Sequence, residues 1–125
     1  MRPFWFVAAS AFFILLVALG SVPGAANAMS ARYGDKLLHT LAYGVMSALY
    51  FHAYRGSKLA RSSGTLATIA LLGALDETVQ SFLPYRNASL ADWCFDMASA
   101  LLIVLLLAWR TRTVSSPINT AIRTD

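Results

Sequence analysis

Charge is scarce in this 125-residue chain: Asp, Glu, Lys and Arg make up 13% of it, where soluble domains carry about 25%. That figure, with a hydrophobic fraction of 58%, excludes a disordered segment and most soluble enzymes. Cysteine is scarcer still. Cys94 is the single one, so no internal disulfide and no Cys-x-x-Cys or Cys/His zinc pattern is available. No Gly-rich phosphate loop, internal repeat or low-complexity block occurs. Ten basic residues face six acidic ones, but the bases stand singly between apolar runs. They form no stripe interleaved with aromatics, which argues against nucleic acid as a partner.

What the chain does have is apolar length. Mean hydropathy is +0.58, and four stretches approach the ~20 residues that a bilayer core requires. They cover residues 4–19, 37–54, 64–83 and 90–109, with a tight turn over 84–89. Lipid gives the backbone no hydrogen-bond partner, and none of these stretches alternates with the period of two that barrel strands show, so each is expected to be a helix. The expected fold is an all-α, transmembrane four-helix bundle. Its parts are a first transmembrane helix and outer loop over 1–28, a membrane domain over 29–110 and a cytoplasmic tail over 111–125. With Ala26-Asn27-Ala28 behind it, the first stretch also fits a signal peptide with an A-x-A cleavage site. Retention as an uncleaved helix is the reading adopted.

The positive-inside rule orients the spans. One side collects Arg2, Arg55, Lys58, Arg61, Arg110, Arg112 and Arg123, the other only Arg32, Lys36 and Arg86. Both termini are therefore expected in the cytoplasm. Phe4, Trp5, Tyr50, Phe51, Tyr54 and Trp109 then mark the inner interface, and Phe82, Tyr85 and Trp93 the outer one.

Acidic residues are distributed more sharply than basic ones. Asp35, Asp76, Glu77, Asp92 and Asp96 fall in the outer halves of the last three spans, leaving only Asp125 inside. A charged side chain at a helix centre costs about 2.5–3.5 kcal/mol on insertion scales, so such groups face protein or a water-filled cavity. Helical spacing puts Asp35, His39 and Tyr43 near one face, Asp76 and Gln80 on one stripe with Glu77 beside them, and Asp92, Asp96 and Ser99 on a third. At 1.5 Å per residue, His39, Gln80 and Asp96 lie about one turn below the outer helix ends, and Asp76 and Glu77 roughly 9–10 Å below theirs. One pocket shared by three helices and open to the outside is the simplest arrangement.

Some of these residues also have purely structural roles open to them. Asp35 follows Gly34 as an N-cap candidate, and Ser89-Leu90-Ala91-Asp92 matches a capping box. Lys36 and Arg86 suit interface anchors. Tyr43 and Ser99 suit bonds between helices, Cys94 a small apolar filler, and His52 the polar belt near the inner interface. Asp76, Glu77 and Asp96 lie too deep for capping, and the adjacent carboxylates need cations, protons or a metal beside them. His39, Lys36 and Arg86 are the cations on that side.

The ordered set Asp35-Lys36-x-x-His39, Asp76-Glu77-x-x-Gln80-x-Phe82-x-Pro84-x-Arg86 and Asp92 resembles the VanZ-like family of small bacterial membrane proteins, over about residues 33–103. The resemblance implies a polytopic plasma-membrane protein of the cell envelope, in some relatives linked to resistance to the glycopeptide teicoplanin. It also implies a shared polar set of His39, Asp76, Glu77, Gln80, Arg86 and Asp92. In that family the position of Asp96 is usually Asn and that of Ser99 usually Gly, so this chain adds a carboxylate and loses a close-packing glycine.

Two functions compete at this point. In the first, the pocket binds a lipid or glycan-precursor headgroup, with Arg86 and Lys36 on phosphate and the carboxylates, with Tyr43 and Gln80, fixing orientation. In the second, it is an enzyme on a lipid-linked phosphate or glycan. His39 is then the general acid/base, and Asp76 and Glu77 hold a divalent cation or activate water. Oxygen ligands favour Mg²⁺, Ca²⁺ or Mn²⁺, and an added imidazole admits Zn²⁺. A conducting path is disfavoured because the inner halves of the spans carry no charge to continue it. A chain this short fits a homo-oligomer as well as a monomer.

Overall fold

The computed structural model describes residues 1–111; the expected cytoplasmic tail, with Arg112, Arg123 and Asp125, lies outside the described residues. Those residues form five helices and no strand: α1 (Pro3–Gly20), α2 (Ala25–Tyr33), α3 (Asp35–Ala53), α4 (Lys58–Ser81) and α5 (Leu90–Arg110). The four apolar stretches all form helices, three within two residues of their expected bounds, while α4 starts six residues before the expected residue 64. The addition is α2, a nine-residue helix in what reads as an outer loop. It lacks a long apolar run, and its ends are glycines, Gly24 at φ +85° and Gly34 at φ +83°. Only glycine takes that backbone cheaply, which is why the chain reverses there.

Local chemistry sets the other boundaries. Pro3 opens α1, where a missing N–H costs nothing. Ser57 starts α4 by accepting from the Ala60 N–H at 3.2 Å, and Ser89 starts α5 by accepting from Asp92 at 3.4 Å. Beyond Ser81, Pro84 cannot continue a helix. At the other end of the molecule Arg61 donates to the Phe51 carbonyl at 3.1 Å and lies over its ring, closing the last turn of α3.

The central helix is α3, which touches every other one. Ala9, Phe13, Tyr43, Met46, Tyr50, Ile69 and Ala100 form the core, so α1 is packed into the body of the protein rather than appended to it. The Arg2 N–H donates to the Ala53 carbonyl at 2.7 Å, fastening the start of α1 to the end of α3. Small residues set the spacing. A Cβ on Gly44 would meet Ser99 Oγ at 3.0 Å, and one on Gly73 would meet the Trp93 ring at 3.0 Å. Ser99 Oγ donates to the Thr40 carbonyl at 2.6 Å, so the serine bonds α5 to α3.

Of these helices, α1 and α5 are long and apolar enough to cross a membrane. Apolar side chains also point outward from all four long helices: Phe4 and Ile14, Leu41 and Val45, Leu71 and Leu75, Leu102 and Leu105 are each at least half exposed. A membrane protein is the class this surface describes. Cys94, expected as packed filler, is exposed.

Candidate functional site

Successive helical residues point about 100° apart, and that divides the acidic cluster in two. Asp76 turns toward α3, where the Tyr43 hydroxyl donates to its Oδ2 at 3.3 Å. Glu77 turns toward α5, where its Oε2 accepts from the Ser89 backbone N–H at 2.6 Å. A hydrogen bond from a neighbouring element reaches each carboxylate, and the His39 ring, one of the expected cations, lies within 4.8 Å of Glu77. Glu77 also completes the start of α5: Ser89 and Asp92 supply one half of a capping box, and the other half is filled from a neighbouring helix.

The first half of the cluster is one wall of a cavity of about 310 Å³. Asp35, His39, Tyr43, Asp76, Gln80 and Arg86 make this polar wall. Leu16 and Leu19 of α1, Met29 of α2, and Leu38 and Ala42 of α3 make the apolar one. Arg86 is held between Gln80 and Asp35. Its Nη2 donates to Gln80 Oε1 at 3.0 Å and lies 3.8 Å from Asp35 Oδ1, while its Nε is buried without a partner. Asp35 is the first residue of α3 rather than its N-cap, and accepts from Ser30 Oγ at 2.7 Å. Ser30 and Met29 had no signal of their own, because α2 was not expected. Leu16 and Leu19 were legible only as span residues.

The second half is a buried seam between α3, α4 and α5. His39 Nδ1 and Asp96 Oδ1 are 3.0 Å apart, with Asp96 fully buried. Lys36 Nζ reaches Asp92 Oδ1 at 3.8 Å from a largely exposed position. The seam keeps three carboxylate oxygens buried with no hydrogen bond: Glu77 Oε1, Asp92 Oδ1 and Asp96 Oδ2. His39 belongs to both halves, since its ring lines the cavity and its Nδ1 meets the seam. It stacks on Tyr43, with ring centroids 5.9 Å apart.

All ten residues expected at the site therefore gather at one end of the bundle, but in two compartments. Asp35, Tyr43, Asp76, Gln80 and Arg86 face the cavity; Lys36, Glu77, Asp92 and Asp96 belong to the seam; His39 joins them. Among the described residues, ligand atoms close enough for one metal ion occur in two sets, Asp35/His39/Asp92 and His39/Glu77/Asp96. Asp76 is in neither.

A family model described as VanZ/LLP1 matches residues 1–111. Among curated proteins, the chain is 28% identical over 97 residues to "Uncharacterized protein C11E3.10" of Schizosaccharomyces pombe, a match covering 77% of this chain. The chain spans about three fifths of the length of that relative, 60%. No solved structure matches.

Proposed function

Because the chain belongs to the VanZ/LLP1 family, we propose that it is a multi-pass plasma-membrane protein whose cavity opens outward and binds a phosphate-bearing lipid or glycan-precursor headgroup. The spans are α1, α3, α4 and α5, with both ends of the chain in the cytoplasm. For α3 and α4 this rests on the outward apolar residues Leu41, Val45, Leu71 and Leu75. The basic loop of Arg55, Lys58 and Arg61 then lies inside. A reporter enzyme inserted after Arg55 is expected to give a cytoplasmic signal; an external signal there would reject this orientation.

The headgroup reading is carried by the cavity's two unlike walls. One is aliphatic and suits acyl or polyprenyl chain, while the other presents Arg86 for phosphate and Asp35 and Asp76 to accept from hydroxyl or amine groups. The purified chain in nanodiscs is expected to bind a short-chain polyprenyl phosphate saturably. Ala42→Trp, which fills the apolar wall, should weaken that binding about tenfold or more, roughly 1.4 kcal/mol. Equal binding by a folded Ala42→Trp protein would remove the cavity from the reading.

The enzyme reading keeps one specific support. The His39 ring faces the cavity with a buried carboxylate behind it, the arrangement that orients an imidazole for proton transfer. Phosphate release from the same lipid, lost in His39→Ala, would place the protein among enzymes; saturable binding without release would keep it a binding protein.

A further inference from the structure

We propose that His39, Glu77 and Asp96 form a binding site for one divalent transition-metal ion, Zn²⁺ or Mn²⁺, in the seam between α3, α4 and α5. Each residue offers one ligand atom, and the atoms lie within 4.8 Å of one another. Two ligands at the tetrahedral angle around an ion with bonds of about 2.1 Å stand about 3.4 Å apart; His39 Nδ1 and Asp96 Oδ1, now hydrogen-bonded at 3.0 Å, need part by only a few tenths of an ångström to admit one. Imidazole with two carboxylates suits zinc and manganese better than calcium, which takes oxygen ligands alone.

A second observation points to an ion independently of this spacing. The Asp96 side chain is fully buried, yet its Oδ2 has no hydrogen-bond partner, and neither has Glu77 Oε1. Both come from members of this set. A buried carboxylate oxygen left bare in a low-dielectric site is costly, and a divalent cation offsets two such charges at once. Gly73 shapes the place: a Cβ there would stand 3.3 Å from Asp96 Oδ2, so any larger residue would crowd the carboxylate from the α4 side.

In the alternative set, Asp35, His39 and Asp92, both carboxylates already have a cationic side chain within 4 Å. Asp35 accepts from Ser30 and faces Arg86, and Asp92 faces Lys36. The assignment also departs from the sequence expectation that Asp76 and Glu77 act as a ligand pair, because Asp76 turns to Tyr43 on α3 and Glu77 to Ser89 at the start of α5.

Elemental analysis of the untagged full-length chain in detergent, equilibrated with Zn²⁺ or Mn²⁺ and freed of loose metal, tests the site. Wild type is expected to retain one ion per chain. Asp96→Asn and Glu77→Gln should each bind at least roughly tenfold more weakly, with helicity by circular dichroism unchanged, while Asp76→Asn keeps the ion. If Asp96→Asn fails to fold, Glu77→Gln decides, because a glutamine retains the acceptor that Ser89 uses. Absence of metal from folded wild type overturns the proposal. So does full retention in Glu77→Gln, or a loss in Asp76→Asn as large as theirs.

Discussion

His39→Leu is expected to lower the unfolding free energy by about 3–5 kcal/mol, the cost of leaving a buried charge without its partner. Asp96 is fully buried, and its Oδ1 has His39 as partner at 3.0 Å. Leucine fills part of the ring's volume, so the loss reports the stranded carboxylate more than a void. The pair taken together is different. Replacing both members by apolar residues of similar size is often neutral or better, so His39→Leu with Asp96→Leu should recover most of the loss. Denaturant titrations followed by circular dichroism in micelles, with chelator present, give the four values of the cycle. A single variant within about 1 kcal/mol of wild type, the range of exposed pairs, would mean that the contact holds nothing together.

Arg86→Ala is expected to reduce binding of a polyprenyl phosphate by about 10- to 150-fold, the equivalent of about 1.5–3 kcal/mol for hydrogen bonds to a charged group. Gln80 and Asp35 hold the guanidinium in place, and its Nε is buried and still free to donate. A fork fixed from two sides loses little freedom when a phosphate arrives. Arg86→Lys keeps the charge and loses the fork, so it should fall between wild type and alanine. The same titration separates the three. Wild-type affinity in a folded Arg86→Ala protein would mean that the headgroup does not meet this residue.

Much of the fold was legible because apolar length is a strong signal: all four long helices were placed by it. The signal was weakest where the site is richest. Asp35, Lys36 and His39 in α3, and Asp76 and Glu77 in α4, interrupt the hydropathy that marks α1 and α5 so clearly. The same substitutions that reveal the site therefore blur the spans that carry it. Membership of the polar cluster could be read from helical spacing, since residues at i and i+4 share a face. Its partition could not. Whether Asp76 and Glu77 act together depends on where α3 and α5 sit around α4, and that is set by Gly44 against Ser99 and Gly73 against Trp93. The short helix α2 was missed because its ends are fixed by glycine backbone rather than by an apolar run, and with it went Met29 and Ser30.

The first helix gives the N-terminal segment a significance that its hydropathy alone does not. Leu16, Leu19 and Gly20 are one side of the cavity, and Ala9 and Phe13 are core. A chain cut after Ala28 would be a cup with a side removed, its charged wall turned toward lipid or water instead of toward a ligand. On the proposed headgroup reading, a chain cut by a signal peptidase is therefore expected to lose the ligand that the uncut chain retains. The length of the mature chain is a functional measurement in its own right.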